Sequence, residues 1–307
     1  MLIYKNGQVT EADIQRVEKD SVGFIWIVNP EQGKIESVLR DTYECHPLVV
    51  DDCLHMDQRP KVDVYSDHAY LPFFVIGEKG RLIEIAIVIG ENFTICISKE
   101  EIPFITELRS EFLRSPKRMD TSGHILYYIL DACAHGYLEY IDKIELRINE
   151  MENKIIDNPY ATIAETVFKM KRRLHKLRKV FSGERDIITI LRHSDFPYTA
   201  EESSVYLSDV YDHLNRVVEE VDTFRDTITG LIDMQTNIKG DRMNSTVKTL
   251  TVVSMFFLPA SFIVGLYGMN VKGVPEYNLS WGYWWVWGWI IVSTLGMWWY
   301  FKKKKWF

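Results

Sequence analysis

The residues best placed to act on an ion are Tyr267, Gly268, Met269 and Asn270, which close a long uncharged stretch of the chain. Gly268 permits a backbone turn or a close approach at a helix end, and Asn270 then puts a neutral amide where the chain leaves that stretch. In a symmetric oligomer a ring of such amides offers carbonyl oxygens without fixed charge. A strongly hydrated divalent cation, which releases its waters reluctantly, could be gripped there through its hydration shell. A helix-capping Gly-Met-Asn that holds no ion accounts for the same residues. Gly265 lies behind Asn270 across the turn, and steps of three and four back from it reach Ser261, Leu258, Ser254, Leu250, Val247 and Asn244. Ser hydroxyls on this face can contact the water of a hydrated ion, while rings of Leu258 and Leu250 could close a path by dewetting. Small residues at these positions would equally allow close helix packing. The opposite face, with Val252, Phe256, Phe262 and Ile263, suits lipid or another helix.

A second constellation is Asp51, Asp52, His55 and Asp57 within HPLVVDDCLHMDQRP. His and Asp together can hold a metal, but this spacing matches no closed catalytic set. No P-loop, nucleophile elbow or metalloprotease string occurs elsewhere. An exposed helix end or a regulatory cation site are the two readings, and enzymatic activity is not expected.

Two uncharged runs must position the first group. Thr249 to Tyr267 and Trp281 to Phe301 carry no charge, and each is long enough to cross a hydrocarbon core of about 30 Å, which takes roughly 20 helical residues. Trp and Tyr cluster toward both ends of the second, as in interfacial belts. Lys239, Arg242 and Lys248 precede the first run and Lys302 to Lys305 follow the second, whereas the connector VKGVPEYNLS has Lys272 alone. The positive-inside bias therefore places both termini in the cytoplasm, in a multi-pass protein of the cell (inner) membrane. A hairpin of two spans is too small to enclose a pore, so conduction implies a homo-oligomer in contact with membrane lipid.

The remainder of the chain is acidic. Of 36 Lys+Arg and 43 Asp+Glu, residues 1–248 hold 31 and 42, which excludes nucleic-acid binding over a general basic face. Cys45, Cys53, Cys96 and Cys133 show no CxxC spacing and read as reduced packing residues. The segment MLIYKNGQVTEADIQ has no apolar run of signal-peptide length, so membrane insertion is expected from the C-terminal runs. GFIWIV, YLPFFVIG, LIEIAIVIG and FTICIS read as strands of a meander, and SVLRDTYECHPLVVDDCL has helical spacing. After the break at Ser110 to Thr121, antiparallel charged helices are expected near Ile125 to Ile156 and Thr162 to Leu191. Leu207, Leu214, Val221 and Ile228, and again Val210, Val217, Phe224, Leu231 and Ile238, then recur every seven residues. These rows predict one bundle seam continuing as a single helix to Tyr267.

The expected organisation is a cytoplasmic α/β domain over 1–115, antiparallel charged helices over 116–200, and the cytoplasmic part of a long stalk helix over 201–248. The first transmembrane helix takes 249–267, an outer loop with Gly-Met-Asn 268–280, the second transmembrane helix 281–301, and a basic cytoplasmic tail 302–307. The fold class is thus an α+β cytoplasmic domain followed by long helices and a two-helix C-terminal transmembrane hairpin.

The hairpin, Tyr-Gly-Met-Asn at the end of its first span, Pro275 and Glu276 in the loop, the long charged helix leading in and the terminal Lys run together resemble the CorA family of divalent cation transporters. The resemblance covers the whole architecture and is densest over residues 200–307. It implies a funnel-shaped homopentamer and channel-like passage of Mg2+ down a pore lined by the first span. Such proteins usually read Met-Pro-Glu-Leu after the motif, whereas Val274 and Tyr277 flank Pro275 and Glu276 here. That departure leaves Co2+, nickel and zinc open as alternative cargo, with a proton-driven mechanism or a non-conducting membrane-anchored scaffold as further readings. The resemblance also implies a regulatory Mg2+ held between an acidic residue of the α/β domain and one on the stalk helix of the next subunit. The matching candidates are Asp52 and Asp233. Asp233 stands beside the apolar rows, where a bare carboxylate at a subunit seam needs a cation or donor.

Overall fold

The computed structural model describes residues 1–193, 196–199, 201–269 and 280–304. They fall into two units, Met1–Asp157 with Ala161–Ile232, and Asn158–Tyr160 with Asp233–Phe307.

In the first unit, strands β1 (Leu2–Lys5), β2 (Gln8–Glu11), β3 (Val22–Val28), β4 (Asp63–Val64), β5 (His68–Ile76), β6 (Leu82–Gly90) and β7 (Phe93–Ser98) form one sheet in the order β2-β1-β3-β7-β6-β5-β4. The expected meander accounts for β5-β6-β7, but β3 joins it by pairing parallel to β7, with Ile25 opposite Ile95. The central strands are unbroken apolar runs because both faces of the sheet are covered. On β6, Ala86 and Val88 share a buried cluster with Ile35, Leu39, Val49, Val50 and Cys53, which come from helices α1 (Gln32–Glu36) and α2 (Pro47–His55) and the π-helical turn Ser37–Thr42 between them. Ile85, Ile87 and Ile89 alternate to the other face and are equally buried. That face meets α3 (Pro103–Arg114) and the start of α4 (Ser122–Asp157): the Phe24 ring lies 5.6 Å from Phe112, and the Thr94 hydroxyl donates to the Ser122 carbonyl at 3.2 Å. All four cysteines are buried and free.

Helices α4, α5 (Ala164–Leu191) and α6 (Glu201–Tyr267) follow. Tyr137 packs against Phe181 with the rings tilted, while Arg173 sits over Tyr140, so α4 and α5 run antiparallel. Arg178 pairs with Asp222, Arg185 with Asn215 and Arg192 lies over Tyr211, so α6 is antiparallel to α5. Contacts of Tyr127 with Tyr206 and of His135 with His213 then make α4 and α6 parallel neighbours. The heptad rows supply the seam of this three-helix arrangement: Leu207, Val210, Leu214, Val217, Val221 and Ile228 are fully buried.

The second unit contains the rest of α6 and α7 (Gly282–Lys303). Among the described residues one helix, within Val205–Tyr267, is both long and apolar enough to cross a membrane. α7 has the length, at 22 residues, but its many Trp and Tyr side chains hold its hydropathy down.

Candidate ion-binding sites

Over its apolar part α6 has two unlike faces. Val252 is buried, and Phe256, Pro259, Ala260, Ile263 and Tyr267 are half-buried. Their spacing of three and four defines one stripe, and it meets α7 where the Phe256 ring lies 6.2 Å from the buried Phe301. On the far side of the helix Asn244, Val247, Leu250, Ser254, Leu258, Ser261 and Gly265 are all exposed, Leu250 and Leu258 at 65% and 67%. Of the residues expected to face lipid or the second span, Val252, Phe256 and Ile263 lie on the α7 stripe, while Phe262 is exposed.

The helix ends as Gly268 donates its N–H to the Val264 carbonyl at 2.9 Å and Met269 donates to Leu266 at 3.4 Å. A Cβ on Gly268 would stand 3.1 Å from that Val264 oxygen, so glycine serves close approach here. Gly268 and Met269 are exposed. Asn270, Pro275 and Glu276 lie outside the described residues.

Asp52 sits in the last turn of α2, before the left-handed Met56 ends the helix. Its carboxylate accepts from Gln58 at 3.0 Å and from Lys61 at 2.8 Å, and Lys61 also reaches Asp63 at 2.7 Å. Within one chain Asp52 is therefore already partnered. Asp51 and His55 form their own pair at 3.3 Å, and Asp57 accepts from Gln58 at 3.4 Å. Nearby Glu84 is pushed up to about 7, chiefly by burial, with Asp57 and Asp52 adding repulsion and a backbone hydrogen bond at Gln58 and the Lys99 charge opposing. Asp233, on α6, is exposed.

A further group was not anticipated. Asp131 and His135 on α4 and His213 on α6 bring ligand atoms within 4.8 Å of one another. Burial raises the Asp131 carboxyl, against the pull of His135 and His213. Asp-x-x-x-His occurs four times in the sequence, at Asp51–His55, Asp120–His124, Asp131–His135 and Asp209–His213; the spacing puts each pair on one helix face, but nothing local marks the two that meet.

The family described as CorA-like Mg2+ transporter protein matches residues 21–303. YfjQ of Bacillus subtilis is 33% identical over 298 residues, covering 96% of this chain and 93% of its own length. The cobalt/magnesium transport protein CorA of Thermotoga maritima is 30% identical over 318 residues, covering 99% and 89%. A zinc transport protein ZntB of Pectobacterium atrosepticum is 24% identical over 226 residues, covering 74% and 68%. Among solved structures, the CorA magnesium transporter of Methanocaldococcus jannaschii superposes with a TM-score of 0.80 at 21% identity, over 100% of this chain and 98% of that one, a likeness of fold.

Proposed function

The chain belongs to the CorA-like Mg2+ transporter family, and from that premise we propose that it conducts divalent cations, magnesium foremost, through a homo-oligomeric pore walled by α6. The observation that carries this reading is the pair of opposite faces on the apolar half of α6. One is occupied by packing at α7, and the other, from Asn244 to Gly265, is fully exposed in the single chain and mixes small polar residues with Leu. A hydrated ion can exchange contacts with Ser254 and Ser261, and Leu250 and Leu258 form the dewetting constrictions. In this reading α7 is the second span despite its low hydropathy, because Trp and Tyr are favoured at the membrane interface. Both termini are cytoplasmic, and five copies surround the axis. Gly268, Met269 and Asn270 form the outer mouth, with Pro275 and Glu276 in the loop beside it.

Cytoplasmic Mg2+ gates the pore by bridging Asp52 to Asp233 of the next subunit. Lys61 already neutralises Asp52, so Mg2+ must displace or share with that ammonium, which sets the response toward high ion concentrations. Magnesium is favoured over transition metals as cargo because residues 249–301 contain neither His nor Cys, the ligands that softer ions prefer. A transporter family also accords with the expected lack of enzymatic activity.

The test is Mg2+ uptake into proteoliposomes by wild type and Asn270→Ala, with Co2+ and Zn2+ in parallel. Ala removes the amide oxygen without adding bulk, so flux should vanish while the oligomer stays assembled. Near-normal Mg2+ uptake by the variant would overturn the assignment of the mouth. Absence of uptake by the assembled wild type would favour a scaffold.

A further inference from the structure

We propose that Asp131, His135 and His213 form a binding site for a transition-metal dication such as Co2+, Ni2+ or Zn2+, separate from the pathway of the transported ion. Two imidazoles and one carboxylate are the donor set such ions select, whereas Mg2+ prefers oxygen alone. The His213 Nδ1 is buried without a hydrogen-bond partner, and the buried Asp131 Oδ1 has only the His135 ring at 3.3 Å, beyond good hydrogen-bond geometry. Buried polar atoms are seldom left unmatched, and these two come from different helices to within reach of the same point. A dication between them satisfies both at once. At bond lengths near 2.1 Å, neighbouring donors around a tetrahedral ion stand about 3.4 Å apart. The three ligand atoms lie within 4.8 Å of one another, so side-chain rotations that draw them in by about 1.4 Å reach that spacing.

The surroundings are arranged for such an ion. With Nδ1 of His213 facing inward, its Nε2 lies 3.9 Å from the Asp209 carboxylate, which adds a second negative charge close to the site. His135 Nδ1 lies 3.0 Å from the Asp131 carbonyl; a proton held there leaves Nε2 as the free donor. Asp131 and His135 line a cleft of about 1020 Å³ whose wall also carries Glu78, Glu101, Glu107 and Glu139, so cations concentrate at the entrance. Occupation would tie α4 to α6, the helix that also bears the candidate pore face.

The test uses the untagged full-length protein in detergent micelles, titrated with CoCl2 under a large excess of Mg2+ so that oxygen-only sites are filled. Visible d–d absorption should saturate near one Co2+ per chain. His135→Gln and His213→Gln should each weaken binding at least tenfold and change the spectrum. His135 is exposed, so its replacement leaves folding intact even where the half-buried His213 is less tolerant. Co2+ should raise the melting temperature of wild type and not of the His135 variant, while Mg2+ uptake by that variant stays normal. No saturable Co2+ spectrum, or an unchanged spectrum and affinity in His135→Gln, would overturn the proposal. The binding readout needs no flux, so failure of the pore reading leaves this result interpretable.

Discussion

Glu184→Gln should change how the stability of the cytoplasmic domain responds to pH. Glu184 of α5 is fully buried, and Oε1 accepts from the Phe74 amide at 2.7 Å and from the Tyr137 hydroxyl at 3.0 Å. Oε2 has no partner. Two neutral donors do not replace the hydration of a carboxylate, and burial drives the Glu184 carboxyl well above its ordinary range. The folded protein therefore keeps its proton at pH values where the unfolded chain has released it. Stability from this group is complete below the ordinary carboxyl range and is lost as pH climbs from there toward the folded pKa, at about 1.4 kcal/mol per pH unit. Gln keeps the oxygen that caps Phe74 and cannot ionise. Glu84 and Asp131, also raised, contribute equally to both proteins and cancel in the difference. Urea unfolding of full-length protein in micelles, followed by circular dichroism between pH 5 and 7, gives the quantity directly. The stability of the variant relative to wild type should rise with pH from the ordinary carboxyl range upward, by at most about 1.4 kcal/mol per pH unit. Parallel pH profiles for the two proteins would refute the buried, protonated Glu184.

Leu250 and Leu258 are exposed in the single chain; on the proposed pore, Leu250→Gly and Leu258→Gly should each raise resting Mg2+ leak in proteoliposomes several-fold, because loss of a Leu ring would leave the path wide and wettable, and unchanged leak in both argues against a gate at these positions. Lys61→Met leaves Asp52 and Asp63 facing each other without the ammonium now 2.8 Å and 2.7 Å away, and should lower urea stability by about 1 kcal/mol at neutral pH in low salt. The same variant should show Mg2+-dependent protection from proteolysis at lower Mg2+ than wild type, since Asp52 is freed; an identical Mg2+ midpoint would exclude Asp52 from sensing.

What the sequence made legible follows from how local each signal is. The buried strands are unbroken β-branched runs, and the heptad rows read directly as the helix Glu201–Tyr267. The edge strands were missed because they are short and mixed, although Asn6 and Gly7, with φ of 54° and 81°, are the two-residue turn that an Asn-Gly pair announces. The parallel pairing of β3 with β7 joins segments some seventy residues apart and leaves no local trace. Glu184 looks like one more charge in a Lys-, Arg- and Glu-rich helix. Yet Leu174, Leu177, Phe181, Ile188 and Leu191, all buried, place it on the seam at an apolar position. The pairing of Asp131 and His135 with His213 needs α4 and α6 to be neighbours, and nothing local in the four Asp-x-x-x-His pairs marks the two that meet. The alternation of faces on α6, by contrast, follows from helical period alone.

The central claim is that ions pass along the face of α6 turned away from α7, and cysteine accessibility during transport tests it most directly. All four native cysteines are buried, so background reaction with a membrane-impermeant cationic thiol reagent should be slow. In proteoliposomes, the reagent should block Mg2+ flux through Ser254→Cys and Ser261→Cys, with Mg2+ slowing the reaction, and leave Ala260→Cys and Ile263→Cys conducting. Block at Ala260 and Ile263 with Ser254 and Ser261 spared would contradict the account.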